Sequence, residues 1–180
     1  MYQMLPSLSL ADVLRHEPAD PLATYAQATQ YLEDLANRLG LRHLSYFLVT
    51  FRDGEPDDVI WVATYDPAYM AQYMANYTPL GDPAFDLAAT AGAFSDWAGM
   101  VVNDPVTADL ERRGARFGIS RFGFSMTMDD TGFGRVMFSV NDRCDARQWR
   151  DRRLALEEAF RPFMYQFHQR MKPLVIAHQS

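Results

Sequence analysis

The sequence predicts an α+β fold in which helices cover a central antiparallel sheet. Two pairs of strand-forming runs carry that reading, at 44–51 and 59–65 and again at 122–129 and 133–141, each pair separated by turn residues. Segments with a helical repeat of apolar residues precede, separate and follow the pairs. The resulting order is helix-strand-strand-helix-helix-strand-strand-helix. A hydrophobic fraction of 48% over 180 residues, with 13% aromatic, suffices for one core of ordinary domain size. The order of strands within the sheet is left open.

Residues 7–17 suit a short helix, with Leu8, Val13 and Leu14 as its contacts. Thr24 opens a stronger one. Tyr25, Ala28, Tyr31, Leu32, Leu35 and Leu39 keep the helical period, and Gly40 stops it. The first strand contains Ser-Tyr-Phe-Leu-Val-Thr, and Asp53-Gly54-Glu55-Pro56 is the turn or loop after it. The second strand delivers Tyr65, at its end, to a helix start where Asp66 can cap free amides and Pro67 suits the first turn. That helix is expected from 67 to about 76. A short helix is expected near 85–90, and another from Asp104-Pro105 to about 116, before Gly118. Asp130-Thr131-Gly132 reads as a hairpin turn, and Gly132-Phe133-Gly134 as part of that turn chemistry. The last helix spans 146 to about 171, bent at Pro162. Trp149, Leu154, Leu156, Phe160, Phe163, Met164 and Phe167 form its apolar surface.

Composition excludes several function classes. A net charge of -6 argues against unaided nucleic-acid binding, which needs clustered Lys and Arg. The single cysteine, Cys144, rules out an internal disulfide and fits a reducing compartment. No apolar run reaches the length of a membrane span, and the N-terminus lacks the pattern of a signal peptide. There is no Gly-x-Ser-x-Gly, phosphate-cradling glycine loop or His-Glu-x-x-His. His16, His43, His168 and His178 lack metal-ligand spacing, and His168 is expected at the surface or an interface. Arg147, Arg150, Arg152 and Arg153 read as a solvated helix start.

The stretch 65–97 holds what chemistry the chain has. Tyr65, Tyr69, Tyr73 and Tyr77 recur every four residues, so Tyr69 and Tyr73 share one helix face. Asp82 follows in a loop and Trp97 on a short extended piece. Such a face can equally be core packing, and Asp82-Pro83 can be another helix cap. Tyr69, Tyr73, Asp82, Pro83 and Trp97, with Gly123 beyond, resemble the hallmark residues of the autoinducer-binding domain of LuxR-type quorum-sensing regulators. The spacing from Tyr69 to Trp97 fits without a gap. Tyr69 departs from the pattern, standing where the family usually has tryptophan.

The resemblance implies an α-β-α sandwich of about five strands, the fifth from the 93–97 region, with a ligand enclosed between sheet and tyrosine helix. The implied ligand is an N-acyl homoserine lactone or a related amphiphile, with no cofactor, metal or catalytic residue. In that picture Asp82 accepts the ligand amide N–H, Tyr65 donates to the amide carbonyl, and Tyr69 replaces the tryptophan donor to the lactone carbonyl. Tyr73, Phe85 and Trp97 wall the pocket. Met137 supplies tail contacts where the family often has Ser or Thr. The resemblance further implies a cytoplasmic homodimer that reaches DNA only through a helix-turn-helix domain, which is not found within residues 1–180. The sequence is therefore expected to be part of a longer regulator or a stand-alone sensor. Rival readings are a module that sequesters related regulators and, from another class, a small acyl-handling enzyme.

Overall fold

A computed structural model describes residues 9–77, 79–90, 94–100 and 105–180. At its centre are β1 (Leu41–Arg52), β2 (Glu55–Ala63), β3 (Phe94–Asp96), β4 (Gly123–Asp130) and β5 (Gly134–Asp142). They form one antiparallel sheet in the order β2-β1-β5-β4-β3. The expected fifth strand is present as the three residues of β3. Its predicted start at Ala93 lies outside the described residues. The two hairpins join through β1 and β5, with Ser45 opposite Ser139 and Tyr46 opposite Phe138.

Turn chemistry fixes the hairpins. Asp53 and Gly54 both have positive φ, 55° and 86°, which gives a two-residue loop the twist of its flanking strands. Pairing resumes at once with Arg52 opposite Glu55, so Glu55 and Pro56 belong to β2 and not to the loop expected there. Between β4 and β5, Asp130 Oδ1 accepts the Gly132 N–H at 3.1 Å. A Cβ on Gly134 would lie 2.1 Å from the Val49 carbonyl oxygen, so only glycine fits.

Alternation along the strands separates two apolar faces. Leu44, Tyr46, Leu48, Phe124, Met126, Phe138 and Val140 pack toward α1 (Leu10–Arg15), α2 (Tyr25–Leu39) and α6 (Ala146–Gln179). Phe47, Val49, Ala63 and Met137 pack toward α3 (Pro67–Asn76) and α4 (Pro83–Thr90). Leu110 of α5 (Pro105–Arg116) joins the second cluster, so the layers are α-β-α. Helix starts follow the expected caps: Thr24 accepts from Gln27 N–H, and Asp66 accepts from Ala68 N–H. Gly40 takes the left-handed conformation at the end of α2. Leu8 and Asp104, expected in or at helices, lie outside the described residues.

Helix α6 corrects several expectations. It continues past Met171 to Gln179, through Pro162 and Pro173, because buried Val175 keeps it on the sheet. Leu154 is 62% exposed: it stands two residues, or about 200°, from Leu156, on the side away from the core. Arg147 and Arg150 are solvated, but Arg152 pairs with Asp142 at 3.3 Å and Arg153 with Asp96 at 3.0 Å. His168 is 0% exposed and not at the surface. Its Nδ1 lies 2.8 Å from the Tyr46 hydroxyl and its Nε2 3.2 Å from Asp130, which also takes Lys172 at 2.9 Å.

Burial pushes the His168 pKa down against the pull of Asp130, and burial lowers that of His43 as well. A base held neutral in the fold stabilises fully above the unfolded pKa of about 6.5 and loses that stability as pH falls below it. Asp130, held at about 2 chiefly by Lys172, acts only at much lower pH. Urea unfolding is therefore expected to weaken between pH 7 and 5.5, and His168→Gln to make that decline shallower. An unchanged slope in the variant would exclude His168 as a source.

Candidate functional site

A cavity of about 610 Å³ lies between the sheet and α3, α4 and α5. Tyr65, Tyr69, Tyr73, Asp82, Phe85 and Trp97 all border it. Met137 does not. It sits in the apolar cluster with Phe47, Tyr73 and Phe85, off the cavity wall.

Tyr65 lies in the short connection between β2, which ends at Ala63, and α3, rather than within the strand. From there the rings form a ladder, with centroids 5.5 Å apart for Tyr65–Tyr69, 6.1 Å for Tyr69–Tyr73 and 6.2 Å for Tyr73–Tyr77. Phe47 of β1 backs Tyr73 and Phe85. Burial raises the pKa of the Tyr65, Tyr69 and Tyr73 phenols, so all three stay protonated and can donate. The Tyr69 hydroxyl has no hydrogen-bond partner among the described residues, whereas the Tyr73 hydroxyl is committed.

Tyr73 donates to Asp82 Oδ2 at 2.8 Å, and the Ala84 N–H donates to Asp82 Oδ1 at 2.9 Å. The Asp82 carbonyl also accepts the Phe85 N–H at 3.0 Å. Asp82 thus caps α4, as one reading of Asp82-Pro83 expects, and also borders the cavity. Burial raises the Asp82 pKa, opposed by the Ala84 and Tyr73 hydrogen bonds. An ionised carboxylate offers about four acceptor sites, so two remain free for a ligand.

Trp97 is not on an extended piece: it opens a 3-10 turn, Trp97–Gly99, directly after β3. Asp96 anchors that turn, accepting from Ala98 N–H at 3.1 Å and from the Trp149 indole at 3.0 Å while pairing with Arg153. The Trp97 indole N–H donates to Ser125 Oγ at 2.9 Å. A Cβ on Gly123 would lie 2.5 Å from the Trp97 ring and 2.7 Å from the Val140 carbonyl oxygen, which is why glycine stands there.

Two features escaped the sequence reading. Ser45 and Ser139 border the cavity floor, beside Ser125. Their signal was a hydroxyl flanked by apolar residues within a strand, as in Phe124-Ser125-Met126 and Phe138-Ser139-Val140. The Tyr77 hydroxyl donates to Asp109, which also pairs with Arg113 and Arg112, tying the end of α3 to α5. These three groups, Tyr77 first, hold the Asp109 carboxyl well below its ordinary range.

The arrangement suits recognition of an amphiphile: aromatic walls, one carboxylate acceptor and a few hydroxyl donors. Among the described residues no group of His, Cys, Asp or Glu could hold a metal ion. Burial, with Asp142 nearby, pushes the Cys144 thiol up to about 11, so it stays protonated. The autoinducer binding domain family matches residues 24–171.

The chain belongs to the autoinducer-binding domain family.

That family is one of signal-binding regulatory domains, which makes this chain a ligand-binding sensor domain of the quorum-sensing type. Similar solved structures agree on the fold. CepR2 from Burkholderia cenocepacia, an N-acylhomoserine lactone-dependent LuxR family transcription factor, shares 20% identity with a TM-score of 0.57, covering 86% of this chain and 90% of its own. Escherichia coli SdiA shares 19% at a TM-score of 0.57, covering 85% of this chain and 63% of its own. The VqsR ligand-binding domain from Pseudomonas aeruginosa shares 14% at 0.51, covering 91% and 92%. No curated protein sequence matches. Among the described residues no helix is long and apolar enough to cross a membrane.

Two substitutions probe this geometry in the empty autoinducer-binding domain. Gly123→Ala forces Trp97 or the sheet to shift and is expected to cost about 1–3 kcal/mol in urea unfolding; an unchanged midpoint would mean that the ring moves freely. Asp82→Asn keeps a capping side chain and removes a buried charge whose folded pKa is raised. Its melting temperature at pH 7 is expected to match or exceed the parent's, and a clear fall would show that the charge stabilises the empty fold.

Proposed function

We propose that this domain binds an N-acyl homoserine lactone in the cavity, acting within a cytoplasmic homodimeric regulator whose output is a DNA-binding helix-turn-helix domain. The observation that carries the reading is Asp82. A largely buried carboxylate that can only accept, set among aromatic rings and with acceptor capacity to spare, suits a ligand with an amide N–H inside an apolar body. Tyr65 and Ser139 supply donors for the amide carbonyl, and Tyr69 a donor for the lactone carbonyl. Tyr73 holds Asp82 in place and lends its ring face to the ligand. Phe85 and Trp97 wall the head group, and Met137 lies in the cluster beneath. The Trp97 indole N–H is occupied by Ser125, so in this reading the Tyr69 hydroxyl on α3 serves the head group in its place.

A second reading has support of its own. An SdiA structure holds octanoyl-rac-glycerol, an amphiphile without an amide. Glycerol hydroxyls could donate to Asp82 in place of an amide N–H. The two ligand classes separate in one thermal-shift series with N-octanoyl homoserine lactone and 1-octanoyl-rac-glycerol. A ligand that binds only the folded form adds about 2.7 kcal/mol at 100 times its dissociation constant. The lactone is expected to raise the melting temperature more than the glyceride; no rise with lactones of any chain length would overturn the proposal.

Substitutions distinguish the roles. A hydrogen bond to a charged group is worth about 1.5–3 kcal/mol, so Asp82→Asn is expected to weaken lactone binding roughly 10- to 150-fold, and more than Trp97→Phe does. Near-native affinity in the Asp82 variant would reduce that residue to a helix cap. Tyr69→Phe is expected to cost about 0.5–1.5 kcal/mol in calorimetric titration. Parental affinity there would place the head group elsewhere.

A further inference from the structure

Strand β3 is an edge strand of three residues, and its end divides the two faces of the sheet. Ser95 stands opposite Ser125, in the row that reaches the cavity at Ser139. The next residue, Asp96, stands opposite Phe124 and so faces the main core, because neighbours in a strand point to opposite sides. Trp97 follows and borders the cavity. One peptide step therefore separates a cavity wall from the core on the other side.

Both oxygens of Asp96 are engaged. Oδ1 accepts the Ala98 N–H at 3.1 Å and the Trp149 indole N–H at 3.0 Å, and Oδ2 accepts from Arg153 at 3.0 Å. The first bond caps the turn that carries Trp97. The other two come from neighbouring positions on one face of α6, four residues apart. Trp149 is 2% exposed, and its ring packs against Phe122 and Phe124 with centroids 6.5 and 6.2 Å away. It cannot follow a moving turn without opening the core. The turn has two further holds: Arg121 donates to the Ala98 carbonyl at 3.3 Å, and the Trp97 indole donates to Ser125. Asp96 ties the turn to a different layer. The Arg153 pair is partly exposed and adds little to stability by itself. With Trp149 on one oxygen and Arg153 on the other, however, the Asp96 carboxylate keeps one orientation, and the cap it gives the turn keeps one direction.

We propose that Trp149 and Arg153 are positioning residues for ligand recognition: from the layer behind the sheet they set, through Asp96, the place of the Trp97 ring against the ligand. This rests on the reading of the cavity as the site of an acyl lactone whose head group Trp97 walls. Neither Trp149 nor Arg153 borders the cavity. Without one of the two donors the carboxylate is free to turn and the 3-10 turn loses its fixed cap. The ring must then be ordered by the ligand, at a cost to affinity. The coupling runs both ways, since a ligand that holds Trp97 in place also holds Asp96 against α6.

The test is a titration of the parent, Trp149→Phe and Arg153→Ala with N-octanoyl homoserine lactone, each change also being made in a Trp97→Ala background. Trp149→Phe keeps a ring in the core and removes the N–H. It is expected to bind about two- to tenfold more weakly than the parent, and Arg153→Ala about two- to fivefold. In the Trp97→Ala background neither change is expected to weaken binding further, because no ring remains to be placed. Should Trp97→Ala not fold, the indole N–H signal of Trp149 in a nitrogen–proton NMR spectrum of the parent decides. The chain has three tryptophans, and Trp149→Phe identifies the signal. It is expected to move on saturation with the lactone although Trp149 lies behind the sheet, and a stationary signal would overturn the inference. Parental affinity in both α6 variants, or losses as large without Trp97 as with it, would overturn this inference alone. Failure of the parent to bind the lactone would instead bring down the acyl-lactone reading, and this inference with it.

Discussion

The carboxylate of Asp82 joins the two halves of the cavity wall. One oxygen takes the Ala84 N–H and so starts α4, which carries Phe85; the other takes the Tyr73 hydroxyl of α3. Removing the charge from water is unfavourable, and burial raises its pKa accordingly. Two good hydrogen bonds offset part of that cost while holding the group in one orientation. In the proposed complex, an acceptor oriented in this way before the ligand arrives reduces the ordering needed on binding.

The opposite wall is held by a different principle. Trp97 is fixed through Asp96, Ser125 and the missing side chain of Gly123, each acting on a separate edge of the turn or ring. Asp96 reaches through Trp149 and Arg153 to α6, on the far face of the sheet. The cavity therefore shares supports with the main core. Helix α5 is tied to the end of α3 by polar contacts to Tyr77 as well as by the apolar packing of Leu110.

Local signals made most of the fold legible. Gly40, Asp66-Pro67 and Asp53-Gly54 act through their own backbone conformation or their nearest amides, so neighbouring sequence suffices to read them. The tyrosine face was legible because helical spacing aligns Tyr69 and Tyr73. What was missed depends on register. Ser45 and Ser139 meet only because β1 pairs with β5 in one register, and a slip by one residue would turn both away. His168 looked like a surface residue until Tyr46, 122 positions earlier, supplied its partner. Leu154 misled for a simpler reason: an apolar residue two places off the buried row faces water. The β3 strand is too short to leave a pattern.

In the proposed complex Asp82 receives the ligand amide. A crystal structure of the complex with N-octanoyl homoserine lactone measures this directly. The amide nitrogen is expected within about 2.7–3.2 Å of an Asp82 carboxylate oxygen, with the Tyr73 and Ala84 contacts intact. A ligand seated in the cavity with its amide turned away from Asp82 would contradict it.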